Sequence, residues 1–255
     1  MKPYLSVIIP SYNEAKRIPL TLLDIDKHLS TADYSYEILV VNDGSKDNTA
    51  EVVKKMAATI KNLKCIDNEV NKGKGGVVRQ GMLLAQGKIR LFTDADNSTS
   101  IDHFDAMIPY FSGEGGERYD AVICSRAHRE SRLDPPEPVY RQIPGKVGNL
   151  VIQALVLPGL WDTQCGFKAF TQEAAEKVFR LSKISGWGFD IEILTLAKKL
   201  GFKIKEIPVH WVNDPFSHVK PSAYLKVLLE TFKIRWWLWT DAYHLKASKS
   251  QTTSH

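Results

Sequence analysis

Four apolar runs constrain this chain more than any other feature: LSVIIP (5–10), YEILVVND (36–43), KIRLFTDAD (88–96) and DAVICSR (120–126). They are rich in branched residues and show no sustained apolar–polar alternation, which marks strands buried on both faces. Between them the pattern is helical from Glu14 to about Leu29, near 48–60 and from about Val77 to Ala85, with a weaker strand at LKCID (63–67). Strands alternating with helices predict an α/β fold, a mostly parallel central sheet with helices on both faces. Each run ends in or leads directly into polar or charged residues. In a parallel sheet those carboxyl ends share one edge, and ligands gather there. Pro10 to Glu14, Asp43, Asp94 to Asp96 and Arg126 all fall on it.

The pattern changes after residue 130. RLDPPEP (132–138) reads as a loop, 139–157 as a helix and DTQCGFKAF (162–170) as an irregular polar-aromatic segment. GWGFDIEILTLAKKLG (186–201) reads as a helix stopped at Gly201, and IKEIPVHW (204–211) as one more strand. This half is expected to form the second wall of a cleft without folding separately, so residues 1–221 make one domain. Residues 222–245 are expected to form an aromatic amphipathic helix, with Trp236, Trp237, Trp239 and Tyr243 set among Lys226, Glu230, Lys233 and Arg235. Tryptophan beside basic residues suits a membrane headgroup region; packing on this domain or on a dimer partner is the alternative. Residues 246–255 read as a flexible tail.

Several classes of function are disfavoured. A net charge of +5 over 255 residues is too modest to argue for nucleic acid, though it suits nucleotides, phosphates or a lipid surface. No apolar run is long enough to span a bilayer, and the run in MKPYLSVIIPSYNE is too short for a signal peptide. Cys65, Cys124 and Cys165 lack zinc spacing and suit a reducing compartment. No G-x-G-x-x-G follows the first strand and no G-x-x-x-x-G-K-[ST] occurs, which disfavours Rossmann and P-loop sites.

Asp94 and Asp96, one residue apart where a buried strand ends, repel each other unless something positive lies between them. A divalent cation with oxygen ligands meets that need; a solvated acidic turn is the plain alternative. A nucleotide held by polar strand ends, with its diphosphate bridged by metal to both aspartates, is the logic of a nucleotide-sugar enzyme.

In this order, PSYNE, VVNDGSKDNT, NKGKGG, TDADN and DTQCGFKAF resemble family 2 glycosyltransferases of the GT-A fold. With GWGFDIE they resemble the polyprenyl-phosphate branch, which includes dolichyl-phosphate β-glucosyltransferases and mannose synthases, over roughly residues 4–221. The resemblance implies an inverting hexosyltransferase acting on a polyprenyl (dolichyl or undecaprenyl) phosphate, peripheral on the cytoplasmic membrane face. Pro10, Tyr12 and Glu14 would line the base and ribose with Val41 and Asp43. Asp94, Ala95 and Asp96 would face the nucleotide sugar, Asp94 and Asp96 would hold Mn²⁺ or Mg²⁺, and Arg126 would reach the phosphates. Read alone, Tyr12 is equally a half-buried aromatic, Asp43 an Asx turn and Lys74 a solvated loop charge. Ser98 stands where mannose synthases place a metal-binding glutamine, which with DTQCGFK favours UDP-glucose over GDP-mannose.

A phosphate monoester acceptor has a second pKa of about 6 and arrives largely as a dianion, so it needs cations more than a base. Arg126, Arg141, Lys168 and the SHVKP segment with Ser217 are the candidates. Asp190 reads as an acceptor-side carboxylate, or as the base if the acceptor is a glycan hydroxyl. Glu192 reads as charge complementing the helix dipole. Catalytic roles are therefore expected of Asp96, Asp190 and Arg126. A sugar-nucleotide pyrophosphorylase is a more distant alternative, since PSYNEAKR lacks its glycine- and arginine-rich loop.

Overall fold

The computed structural model describes residues 2–114, 116–136, 139–212 and 222–245, with backbone alone at 139–144 and 222. Ser217 and the rest of SHVKP lie outside the described residues, as does the tail 246–255; at Arg141 only the backbone is described.

The first half follows the expected alternation. Strands β1 (Leu5–Ser11), β2 (Tyr36–Asp43), β3 (Leu63–Asn68) and β4 (Ile89–Phe92) are joined through α1 (Ile18–Leu29), α2 (Thr49–Met56) and α3 (Lys74–Leu84). A short helix α4 (Ile108–Ser112) then leads to β5 (Ala121–Cys124). β2, β1 and β4 pair in parallel, with Pro10 opposite Val41 and Ile8 opposite Phe92. That register brings Tyr12, Asp43 and Asp94 to one edge. Side chains alternate between two cores. Ile8, Val41 and Phe92 face α3, whereas Val7, Ile9 and Val40 face α1. Each such fully buried side chain contributes about 1.5–3 kcal/mol.

The second half departs from expectation in three places. It runs β6 (Arg132–Asp134), α5 (Val139–Leu155), β7 (Lys168–Thr171), α6 (Gln172–Leu181), α7 (Phe189–Lys199), β8 (Ile204–Ile207), β9 (His210–Val212) and α8 (Ser222–Trp239). The sheet order is β3-β2-β1-β4-β7-β5-β8, so the segment expected to be irregular supplies a central strand. β7 runs antiparallel to both β4 and β5. A lysine inside KAFT disguises it, because the strand is fully buried yet not uniformly apolar. RLDPPEP was expected to be loop, but its first three residues form β6, paired with β9. IKEIPVHW is two strands rather than one, because Pro208 cannot donate to a ladder and the chain leaves the main sheet there.

α8 has two faces. Thr231 and Ile234 are buried, and Tyr243 beyond its end is 1% exposed in the same core as Ile8 and Phe92. Leu225, Leu229, Phe232, Trp236 and Trp239 are exposed, Trp239 to 76%. Glu192 anchors this end of the chain. It is fully buried, and its carboxylate accepts from the amides of Lys183 and Ile184 and from the Tyr243 hydroxyl at 2.7 Å. Burial raises its pKa and those three donors offset part of the rise. The sequence suggested only a helix-dipole charge; the structure makes it a tie between α7 and the chain after α8.

Glu192→Ala leaves these donors without a partner, so it should destabilise the protein by about 2–4 kcal/mol, and Tyr243→Phe by about 1 kcal/mol. Urea unfolding reads both as a lower midpoint at unchanged slope.

Candidate active site at the carboxyl ends of the strands

The turn after β4 carries Asp94, Ala95 and Asp96. Asn97 takes a left-handed φ of 55° and bends the chain back, and its side-chain amide donates to Asp24 at 3.1 Å. Asp94 reaches across to Gly166: a Cβ there would lie 2.1 Å from Asp94 Oδ2, so only glycine admits the carboxylate. Asp94 Oδ1 lies 2.6 Å from Lys74 Nζ. The contact is ionic, since the same buried oxygen accepts no well-aligned hydrogen bond among the described residues. Both side chains keep about a fifth of their surface open, 21% for Lys74 and 24% for Asp94.

Asp96 accepts from the Ser98 amide at 3.0 Å. Its pKa is raised, first by burial and then by repulsion from Asp94, with Ser98 and Lys74 opposing. Burial acts against the charge of Lys74, yet attraction from Asp94, Asp190 and Asp96 holds its pKa above the ordinary value. Lys74 is therefore the charge partner of the acidic pair, not the solvated loop cation that its glycine-rich context suggested. The alternating Gly-Lys-Gly was the available signal. Gly73 and Gly75 let the chain press against the backbone of Ser185 and Ile184, where a Cβ would lie 2.4 and 2.6 Å from their carbonyl oxygens.

A second ion pair lies behind the first. Asp190, in the first turn of α7, accepts from Lys168 Nζ at 2.6 Å, and the same ammonium contacts the Cys165 carbonyl. Burial raises the pKa of Asp190, and the two lysines oppose it. Lys168 is 0% exposed. The expectation that it presents its charge to an acceptor phosphate does not match this placement, because its ammonium is already engaged and enclosed. Cys165 is buried.

The nucleotide-side candidates divide. Tyr12 is 42% exposed, and Glu14 is held by Arg17 at 2.5 Å with its amide donating to Thr49. Asp43 accepts from the Lys72 amide at 2.6 Å and so ties NKGKGG to the end of β2, with burial raising its pKa. Pro10 is buried within β1. Val41 and Ala95 point into the two cores, so only their backbones can face a ligand. Ser11 Oγ is buried with no hydrogen-bond partner among the described residues.

Arg126 is held side-on by Asp162, with Nε and Nη2 donating at 2.7 and 2.9 Å, and it lies 5.0 Å from the Trp211 ring centroid. Burial opposes the charge on Asp162, but Arg126 keeps its carboxyl well below the usual carboxylate range. Asp162 thus orients Arg126.

Among the described residues no three metal-ligating side chains cluster. The neighbouring carboxylates of Asp94 and Asp96, the first engaged by the Lys74 ammonium, fit Mg²⁺ or Mn²⁺ when a ligand's own oxygens complete the shell, because these cations take oxygen donors.

Residues 6–179 match the family described as glycosyl transferase family 2. Dolichyl-phosphate β-glucosyltransferase of Dictyostelium discoideum is 37% identical over 244 residues, covering 91% of this chain and 74% of that protein. The Homo sapiens protein of the same name is 31% identical over 255 residues, covering 96% and 79%. Glucosyl-3-phosphoglycerate synthase from Mycobacterium tuberculosis, solved with Mn²⁺, UDP and glucosyl-3-phosphoglycerate, superposes with a TM-score of 0.61 at 20% identity, over 91% of this chain and 80% of that one. At that identity the likeness is one of fold.

Lys74→Met leaves Asp94, Asp96 and Asp190 facing one another across a smaller positive charge. Asp96 and Asp190, whose folded pKa values lie above the ordinary 3.8, hold more protons folded than unfolded. Stability therefore falls as pH rises from 3.8 through the raised folded value. The metal-free variant should thus lose more thermal stability at about pH 7 than at about pH 3.5, below the ordinary carboxylate value, read by unfolding scans at both.

Proposed function

This chain belongs to glycosyl transferase family 2, and on that premise we propose that it moves glucose from UDP-glucose to a polyprenyl phosphate, inverting the anomeric centre. The observation that carries the reading is the acidic pair Asp94 and Asp96 beside Lys74 at the end of β4, where a nucleotide diphosphate would lie. The relatives named dolichyl-phosphate β-glucosyltransferase support the lipid-phosphate acceptor.

The residues divide the work by charge. Tyr12, Asp43 and the backbone at Pro10 and Val41 receive the nucleoside. Asp94 and Asp96 would hold Mn²⁺ or Mg²⁺, which offsets charge on the departing diphosphate. Lys74, already beside Asp94, adds a fixed positive charge at the same place. Arg126, oriented by Asp162, faces the phosphates, and Arg141 and Ser217 remain candidates for the acceptor phosphate.

The acceptor phosphate oxygen attacks the sugar's C1 as the bond to the UDP oxygen breaks, so the electron pair leaves with UDP. A phosphate dianion attacks without giving up a proton. This fits an Asp190 that is bound to Lys168 and not poised over a hydroxyl. Asp190 then orients the cluster by fixing Lys168. The alternative, a hydroxyl acceptor, would need that carboxylate released as a base.

No helix among the described residues is long and apolar enough to cross a membrane. The exposed aromatic face of α8 suits peripheral attachment at the cytoplasmic face, with rings at the headgroup level.

A panel of UDP- and GDP-hexoses, with and without polyprenyl phosphate and read by product mass, should yield a glycosylated lipid phosphate from UDP-glucose first. Excess chelator should abolish turnover, and Asp96→Ala should lower kcat by about 10²-fold or more. Product from GDP-mannose alone overturns the donor assignment. Trp236→Ser with Trp239→Ser should weaken sedimentation with anionic vesicles while leaving thermal stability and transfer to a short-chain soluble acceptor unchanged.

A further inference from the structure

The segment Lys183–Gly188 is held from three sides. The Gly75 amide, in the first turn of α3, donates to the Ser185 carbonyl at 2.9 Å. Glu192 accepts from the amides of Lys183 and Ile184. From α8, Glu230 accepts from the Gly188 amide at 2.7 Å. In this arrangement the Glu230 side chain occupies the space that a Cβ at Gly186 or Gly188 would take. A Cβ at Gly186 would lie 2.2 Å from Glu230 Oε1, and one at Gly188 would lie 2.7 Å from Oε2.

Gly188 is also the N-cap residue just before α7, and it brings no capping side chain of its own. Glu230 thus sets a carboxylate at that helix terminus, where the dipole favours negative charge. Asp190 follows two residues later. Between the two glycines stands Trp187, 41% exposed despite this anchored backbone. Its ring centroid lies 5.4 Å from the ammonium of Lys74, which in turn pairs with Asp94. An indole on so firmly anchored a backbone, beside the Lys74–Asp94 pair and with its surface still open, is placed to receive something.

We infer that Trp187 is a wall of the donor-hexose site and that Glu230 is the positioning residue that sets it; this rests on the nucleotide-sugar reading above. The diphosphate ends at Asp94 and Lys74, so the hexose begins beside Trp187. Aromatic faces carry negative charge and attract the polarised C–H face of a sugar ring as they attract a cation. Glu230 acts through the Gly188 amide and touches no substrate. It also joins the exposed aromatic helix to the sugar site through one hydrogen bond.

The test compares Trp187→Ala, Glu230→Ala, Glu230→Gln and the Trp187→Ala/Glu230→Ala double variant for UDP-glucose KM, kcat and the Kd for UDP alone. Trp187→Ala should raise the KM for UDP-glucose about tenfold while the Kd for UDP stays within about twofold. Glu230→Ala should reproduce part of that rise, and Glu230→Gln, which keeps an acceptor oxygen for the Gly188 amide, should restore it. The double variant should be no worse than Trp187→Ala, because both act on one wall. An unchanged UDP-glucose KM in Trp187→Ala overturns the inference, as does a rise confined to the polyprenyl phosphate KM. Additive effects in the double variant overturn the positioning role of Glu230. Should Glu230→Ala not fold, Glu230→Asp takes its place, since it shortens the reach to the same amide, and an unaltered KM there counts equally against the role. The unmodified protein separates the two ideas. If it transfers no glucose, the donor reading falls and this inference with it; if it works and Trp187→Ala matches it, only the inference falls.

Discussion

The Lys168–Asp190 ion pair holds sheet and site in one arrangement. Lys168 enters from β7 in the middle of the sheet, and Asp190 from the first turn of α7. A fully buried ammonium is tolerated only with a close anion and further hydrogen bonds. Here Asp190 and the Cys165 carbonyl provide both. Breaking such a pair strands a charge, so β7 and the start of α7 are locked in register with each other. Gly166 lies two residues before Lys168 and seats Asp94, so the same register decides where the first acidic residue points.

The first half of the fold was legible because its strands are buried on both faces and say so in uninterrupted branched residues. β1, β2, β4 and β5 fall where the pattern placed them, and the edge they share collects the residues predicted for it. β7 was not legible. Its sequence, KAFT, has one β-branched residue and a lysine whose partner lies 22 positions away. Nothing local reveals that a charge will be neutralised from another element. The same holds for Lys74 and Glu192, each of which resembled a surface charge. Their roles are set by distant groups, Asp94 in one case and Tyr243 in the other. The family resemblance supplied the motifs, but not which ammonium answers which carboxylate.

The glycines of the motifs are easily mistaken for a phosphate-binding loop. Gly73, Gly75, Gly166, Gly186 and Gly188 each mark a place where another backbone or a carboxylate comes too close for a side chain. Their shared function is close approach. They bring the α3 terminus, the β7 approach and the Trp187 loop together around two lysines, which explains why none fits a dinucleotide or P-loop spacing.

Charge counting then limits what the cleft accepts. With all groups ionised, Asp94, Asp96 and Asp190 against Lys74 and Lys168 leave one uncompensated negative charge. A nucleotide-sugar diphosphate adds one negative charge on each phosphate, which in a partly buried site is repelled strongly. The same diphosphate accompanied by a divalent cation adds no net charge. On the proposed reading, donor and cation would best enter as a unit; the pKa of Asp96, raised first by burial and then by repulsion from Asp94, shows that this site already disfavours further negative charge. After transfer the departing nucleoside diphosphate carries more charge than the sugar nucleotide did, because its terminal phosphate is no longer esterified. The imbalance that disfavours the naked donor then favours release of the product.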